Sequence, residues 1–210
     1  LTTEQLADIS LGQRDRLLFI LRQWLFGPDL HGFVECPQCR DRLEFNLRVP
    51  AIDDAEPVEA ASEERAFSAA GFDLRFRLPN SRDLIAAAAC PGPQQARQLL
   101  VERCVEEARR AGTAITGAEL PEAVLAHLAT RLAECDPLQE VLLDLACPAC
   151  GHRWQPLLDI GTFLWAELAA HAKRLLREVH TLARAYGWRE ADILALSARR
   201  RQSYLEMVGA

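Results

Sequence analysis

The chain has 210 residues, half of them apolar and about a quarter charged, with a formal net charge of −6. This is ordinary globular composition, enough for one sizeable domain or a core with an inserted lobe. The acidic balance argues against a general nucleic-acid binder, which presents a basic surface to phosphates. The longest apolar runs, such as Leu84 to Cys90, are too short to span a bilayer, and no basic segment leading into an apolar one marks a secretory signal. The expectation is a soluble, cytoplasmic protein, numbered from a Leu that can lie inside the natural product.

Thr3 to Phe26 predicts one amphipathic helix, with Leu6, Ile9, Leu17, Leu21 and Trp24 recurring at helical spacing and Gly27-Pro28 as its stop. Gly32 to Glu35 and the alternating Leu43 to Val49 predict a hairpin whose turn holds Cys36 and Cys39. Asp53 to Glu64 is acidic and almost free of large apolar residues, as a linker is. Phe72 to Leu78 alternates as a strand. Ser81 is placed to cap a short helix through Ala89, which Pro91-Gly92-Pro93 ends. Helices are predicted over Gln94 to Ala111 and from Pro121 to Ala133. Val141 to Leu145 then leads as a strand into a second knuckle, and Trp154 to Leu158 leads out. From Thr162 to Tyr186 the residues Leu164, Leu168, Ala172, Leu175, Val179, Leu182 and Tyr186 form a continuous stripe. That predicts a helix packed along its whole length and capped by Gly187. Helices near Arg189 to Leu196 and Ser197 to Val208 close the chain.

Seven cysteines with no secretory signal point to a reducing compartment, where paired Cys-x-x-Cys spacings more often mean metal than disulfides. Cys36-Pro37-Gln38-Cys39 and Cys147-Pro148-Ala149-Cys150-Gly151-His152 share Pro after the first Cys, and extended segments lead into both. Zinc takes four such thiolates in a tetrahedron, so Cys36, Cys39, Cys147 and Cys150 are the expected ligands of one structural Zn2+ per chain. Gly151 allows the left-handed turn that brings backbone N–H groups to thiolate sulfur. The 107 residues between Cys39 and Cys147 imply an insertion whose ends the metal ties together. A redox dithiol usually opens a helix after a strand, which the extended Leu43 to Val49 does not fit. His152 is expected beside the site, and Cys90, Cys104 and Cys135 as small buried hydrophobes.

The expected class is therefore α+β and mainly α-helical: a split zinc ribbon of two CPxC hairpins, a large helical insertion and a long C-terminal helical region. By residue, 1–27 is the N-terminal helix, 28–50 and 140–160 the split ribbon, 51–139 the inserted mainly helical lobe and 161–210 the helical C-terminal region. No phosphate loop, nucleophile elbow or paired-His metal helix is present, and His31, His127, His171 and His180 are scattered, so no enzyme is expected. Arg199, Arg200 and Arg201 fall in the first turn of the last helix, where the dipole disfavours cations. Either Glu190, Asp192 or solvent compensates them, or they form a docking patch for an acidic partner. Trp188, Tyr204, Leu205 and Met207 suit a core or a partner-facing surface equally.

The run Phe163-Leu164-Trp165-Ala166-Glu167-Leu168, the run Leu175 to Ala183 and Tyr186-Gly187-Trp188 to Leu196 resemble baseplate proteins of contractile phage tails and phage-tail-like contractile injection systems. These are related to the baseplate hub assembly proteins of the T-even type. Leu78 to Leu84, Leu99 to Val105 and the Cys-Pro-x-Cys-Gly-His-x-Trp segment share the resemblance, which covers about Arg14 to Val208. It implies a non-enzymatic structural protein or assembly chaperone in a bacterial or phage setting, with baseplate, hub or spike proteins as partners. It also implies possible incorporation into the tail-like particle. A zinc-ribbon protein of nucleic-acid, transcription or translation machinery is the alternative, with nucleic acid disfavoured by the charge. A redox or metal-dependent enzyme is a further rival.

Overall fold

The computed structural model describes residues 2–48 and 65–209. The acidic linker expected over Asp53 to Glu64 and the end of the predicted strand at Val49 lie outside the described residues. The fold is α+β and mostly helical, and it divides into two compact units, Leu1–Ile160 and Gly161–Ala210.

The first unit opens with two helices where one was predicted. α1 (Thr3–Asp8) and α2 (Leu11–Phe26) are separated by Ile9, which is extended, and Ser10, whose hydroxyl accepts from the Gln13 N–H at 3.2 Å as the cap of α2. Leu11 N–H donates outward to the Pro79 carbonyl at 3.0 Å, so the break is held by tertiary pairing. The buried face of α2 is not the predicted one. Leu11, Asp15, Phe19 and Arg22 turn inward, while Leu6, Leu17, Leu21 and Trp24 are exposed. Arg22 can be buried because its guanidinium donates to the carbonyls of Gly27 and Asp29 at 2.7 and 2.9 Å, satisfying the polar group in place.

β1 (Asp29–Glu35) and β2 (Arg42–Arg48) form the expected antiparallel hairpin, in unbroken register from Asp29 opposite Arg48 to Glu35 opposite Arg42. The insertion carries more β-structure than its sequence suggests. β3 (Ala66–Ala69), β4 (Phe72–Phe76), β5 (Val105–Arg110) and β6 (Thr113–Ala114) make a four-stranded antiparallel sheet in chain order. The helix predicted over Gln94 to Ala111 therefore ends early: α4 spans Pro93–Cys104, and the chain continues directly as β5. Pairing decides this, since Val105 meets Phe76 and Ala108 meets Leu74 across the ladder, and cross-strand packing overrides a marginal helical tendency. Phe72, Leu74 and Ala108 cover one sheet face, on which α5 (Glu122–Cys135) lays Val124; Phe76 meets Leu128 and Cys135 further along the same helix.

Asn80, rather than Ser81, caps α3 (Ser81–Ala88), with its side chain accepting from the Arg82 and Asp83 N–H groups. Pro121 sits just outside α5 as its cap residue. Strand character before the second knuckle is short: β7 (Leu145–Ala146) pairs with β8 (Arg153–Trp154). The wider approach is held by Leu143 N–H to the Pro156 carbonyl at 3.0 Å and Leu158 N–H to the Val141 carbonyl at 2.8 Å.

In the second unit α6 (Ile160–Tyr186) begins two residues before the predicted cap Thr162 and ends at Gly187, whose φ of 68° suits a residue without Cβ. α7 (Glu190–Ala195) and α8 (Ala198–Gly209) fold back so that Val179, Leu182 and Ile193 form a core with Trp188, Tyr204 and Leu205 around it. Trp188 stacks on Tyr186 at 4.7 Å and meets Tyr204 edge-on at 4.8 Å, so Trp188 and Tyr204 pack on the core, whereas Tyr186 and Met207 are exposed. The predicted stripe of α6 is buried at Leu164, Val179 and Leu182 and half-buried at Leu168 and Leu175, with Ala172 and Tyr186 exposed; Trp165 and Leu176, off the stripe, face outward. No helix among the described residues is long and apolar enough to cross a membrane.

Candidate metal centre

Two hairpin turns build the site, and they share one backbone plan. In the first, Cys36 N–H donates to the Asp41 carbonyl at 2.9 Å, and Arg40 N–H returns to the Cys36 carbonyl at 2.9 Å. In the second, Cys147 N–H donates to the His152 carbonyl at 2.8 Å, and Gly151 N–H returns to the Cys147 carbonyl at 2.9 Å. The fourth residue after the leading Cys is left-handed in both, Arg40 at φ 61° and Gly151 at φ 73°. The repeated geometry follows from the shared Cys-Pro-x-Cys sequence.

The two turns bring all four sulfurs within 4.8 Å of one another. Cys36 Sγ lies 3.7 Å from Cys150 Sγ, and Cys39 Sγ lies 3.6 Å from Cys147 Sγ. These spacings exclude disulfides, whose sulfurs sit about 2.05 Å apart. They match the edge of a tetrahedron with metal–sulfur bonds of about 2.3 Å, which is roughly 3.8 Å. The leading cysteines, Cys36 and Cys147, are buried against Leu43, Val34 and Trp154, while Cys39 and Cys150 are exposed at the rim.

The electrostatics of the bare thiols point the same way. Burial opposes ionisation of Cys36, but the N–H groups of Cys39 and Gln38 and the neighbouring thiols outweigh it and bring that thiol down to about 7. Cys39 is pushed up to about 12: the Asp41 N–H favours its thiolate, yet burial and the sulfurs of Cys150, Cys147 and Cys36 prevail. One thiolate in this cluster suppresses the next, and a divalent cation among them removes that conflict. The donor set is all-sulfur, closed and partly desolvated, so the four residues can hold one metal ion of the soft or borderline kind.

His152 lies beside the cluster and outside it, its ring stacked on Trp154 at 5.8 Å. Of the other cysteines, Cys104 and Cys135 are buried and Cys90 half-buried. Burial raises the Cys104 thiol to about 11, the state of an inert small hydrophobe. Of the three arginines of α8, Arg199 and Arg200 are exposed and Arg201 is half-buried. Arg201 is held by Glu178 at 3.1 Å and by the Leu196 carbonyl at 2.6 Å, so its compensation comes from α6 rather than from Glu190 or Asp192.

One buried charge cluster escaped the sequence reading. Asp83 is fully buried and accepts from Arg77 at 2.6 and 2.9 Å and from Arg103 at 2.6 Å, joining α3, the chain after β4 and α4. Its signal was the Asn80-x-x-Asp83 capping box, which places an acid at the third helical position. Comparison with known protein families, with curated proteins and with solved structures returns no match, so geometry and residue chemistry carry the reading of this site.

Proposed function

We propose that this chain is a non-enzymatic structural or assembly protein of the baseplate or hub of a contractile phage tail or phage-tail-like injection system, stapled by one structural zinc ion. The observation that carries the zinc reading is the convergence of Cys36, Cys39, Cys147 and Cys150 from turns 107 residues apart onto one cluster of sulfurs within 4.8 Å of one another. These four residues would hold Zn2+, which supplies a cross-link between the ends of the insertion. Four thiolates leave no open coordination position, which suits a structural ion better than a catalytic one. The tail-particle reading is supported by the resemblance of the α6–α7 sequence combined with the second knuckle.

Two measurements test the two halves separately. Metal analysis of the purified chain is expected to give about one zinc per chain, and a folded, metal-free protein sinks the structural-zinc reading. Tagged chain recovered from its native host is expected to bring down tail-tip, hub or spike proteins. Persistence in finished particles makes it a component, and presence only before assembly makes it a chaperone. Recovery of ribosomal or transcription proteins alone transfers the zinc ribbon to nucleic-acid machinery.

A further inference from the structure

We propose that the exposed face of α6 docks an acidic amphipathic helix of a partner protein. This inference stands apart from the metal site and does not require the tail-particle reading. The apolar residues of α6 fall on two lines. Val179 and Leu182 lie on the line that α7 and α8 cover. Trp165, Ala169, Ala172 and Leu176 form the other, spaced four, three and four residues, the repeat with which one helix seats another. Trp165 and Leu176, the ends of that line, are 74 % and 60 % exposed.

A basic line flanks the C-terminal end of the apolar one and continues past it. Lys173, Arg177 and Arg184, with His180 between them, share a face at spacings of four, three and four residues, about a quarter turn around the helix, and all are exposed. No carboxylate among the described residues pairs with Lys173, Arg177 or Arg184, and Glu178, next along the helix, is engaged by Arg201. The unit from Gly161 onward carries eight Lys and Arg residues against five acidic ones, opposite in sign to the chain as a whole. An exposed apolar line flanked at its C-terminal end by Lys173 and Arg177 is met by a helix with aliphatic residues on its seam and Asp or Glu on the flank that passes that end.

The size of the strip favours a helix over a lipid surface. Two of its four positions are Ala, which lets a second helix approach closely but gives little apolar area for insertion into a bilayer, where binding scales with that area.

The test uses the full chain and two labelled synthetic helical peptides of equal length, identical Leu seams and flanks of Glu in one and Lys in the other. Fluorescence anisotropy at low salt is expected to show the Glu peptide binding at least about tenfold more tightly than the Lys peptide. Lys173→Glu combined with Arg177→Glu is expected to reverse that order, and Leu176→Glu to weaken the Glu peptide at least about tenfold. Unchanged circular dichroism would show the exposed positions leave the fold intact. Equal affinities, or no binding of either peptide, overturn the proposal. So does association of the chain with itself, or with anionic phospholipid vesicles, through this face without binding of the Glu peptide.

Discussion

The carboxylate of Asp136 accepts the Gly12 N–H at 2.9 Å, tying the end of α5 to the first turn of α2 across 124 residues of sequence. Asp136 is buried, and it satisfies an N–H that the helix itself leaves unpaired. A Cβ at Gly12 would overlap that carboxylate and displace it. Gly12→Ala is therefore expected to destabilise the fold by about 1–3 kcal/mol, from overpacking and a lost buried hydrogen bond. Asp136→Ala loses the same bond without the overlap. Urea unfolding of the two single variants and the double variant checks this, because restored stability in the double would show that the overlap dominates.

Asp83 supplies a pH dependence with a definite sign. Burial alone would raise its pKa, but the Arg77 and Arg103 guanidinium groups and the Asn80 N–H hold it well below the usual carboxylate range. The folded value lies below the unfolded one, near 4, so the contribution is fully present at neutral pH and drains away as pH falls from about 5. Asp83→Asn should lower stability by roughly 2–3 kcal/mol at pH 7 and flatten the acid limb of the stability curve. Chemical unfolding of both proteins between pH 7 and about 3 decides it; parallel curves would assign the acid sensitivity to other carboxylates.

The metal cluster was legible because its signal is local and chemical: two Cys-Pro-x-Cys turns state their ligands without reference to the fold. The C-terminal helices were legible through spacing and through Gly187. What spacing could not supply was the partner of each face. Leu17, Leu21 and Trp24 repeat as a buried stripe would, yet α2 buries Asp15, which Arg14 engages, and Arg22, whose guanidinium donates to the Gly27 and Asp29 carbonyls. Val105 to Arg110 reads as the continuation of a helix until β4 is there to pair with it. The two hairpin turns of the sheet were hidden for another reason. Both place an Ala before Gly with φ above zero, Ala70-Gly71 and Ala111-Gly112, where Asn-Gly or Asp-Gly would have announced the turn.

Those alanines should be improvable. Ala111 sits at φ 47°, a conformation that Asn adopts more readily than Ala because its short amide bonds locally to the backbone. Ala111→Asn is expected to stabilise the chain by about 0.5 kcal/mol, with Ala70→Asn behaving alike. Thermal unfolding of each variant at matched zinc would show a raised midpoint. A lowered one would mean that the Ala methyl makes a packing contact worth more than the turn preference.

Metal removal should act through the unfolded chain as well as the folded one. A cross-link closing a loop of about 100 residues removes entropy worth roughly 5 kcal/mol from the unfolded state, so chelation should lower stability by several kcal/mol. Cys36→Ser should be more damaging than Cys39→Ser, because Cys36 is buried against Leu43 and Cys39 is exposed. Calorimetry with zinc and with chelator separates the terms: the gap between the two serine variants should persist without metal, since it reflects a hydroxyl buried among apolar groups.

The matched knuckles provide a control on that argument, since Arg40 and Gly151 occupy the same left-handed position in two turns of one molecule. A Cβ at Gly151 meets nothing within 4 Å, so Gly151→Ala carries only the conformational penalty, about 1 kcal/mol. Arg40→Gly relieves the same penalty in the first knuckle but frees the unfolded chain, and the two effects nearly cancel to within about 0.5 kcal/mol. Unfolding at saturating zinc should therefore show a loss at Gly151 and almost none at Arg40. A loss far above the conformational penalty at Gly151, accompanied by weaker zinc affinity, would show that this glycine also lets the backbone N–H groups approach the thiolates, a role that Arg40 cannot share.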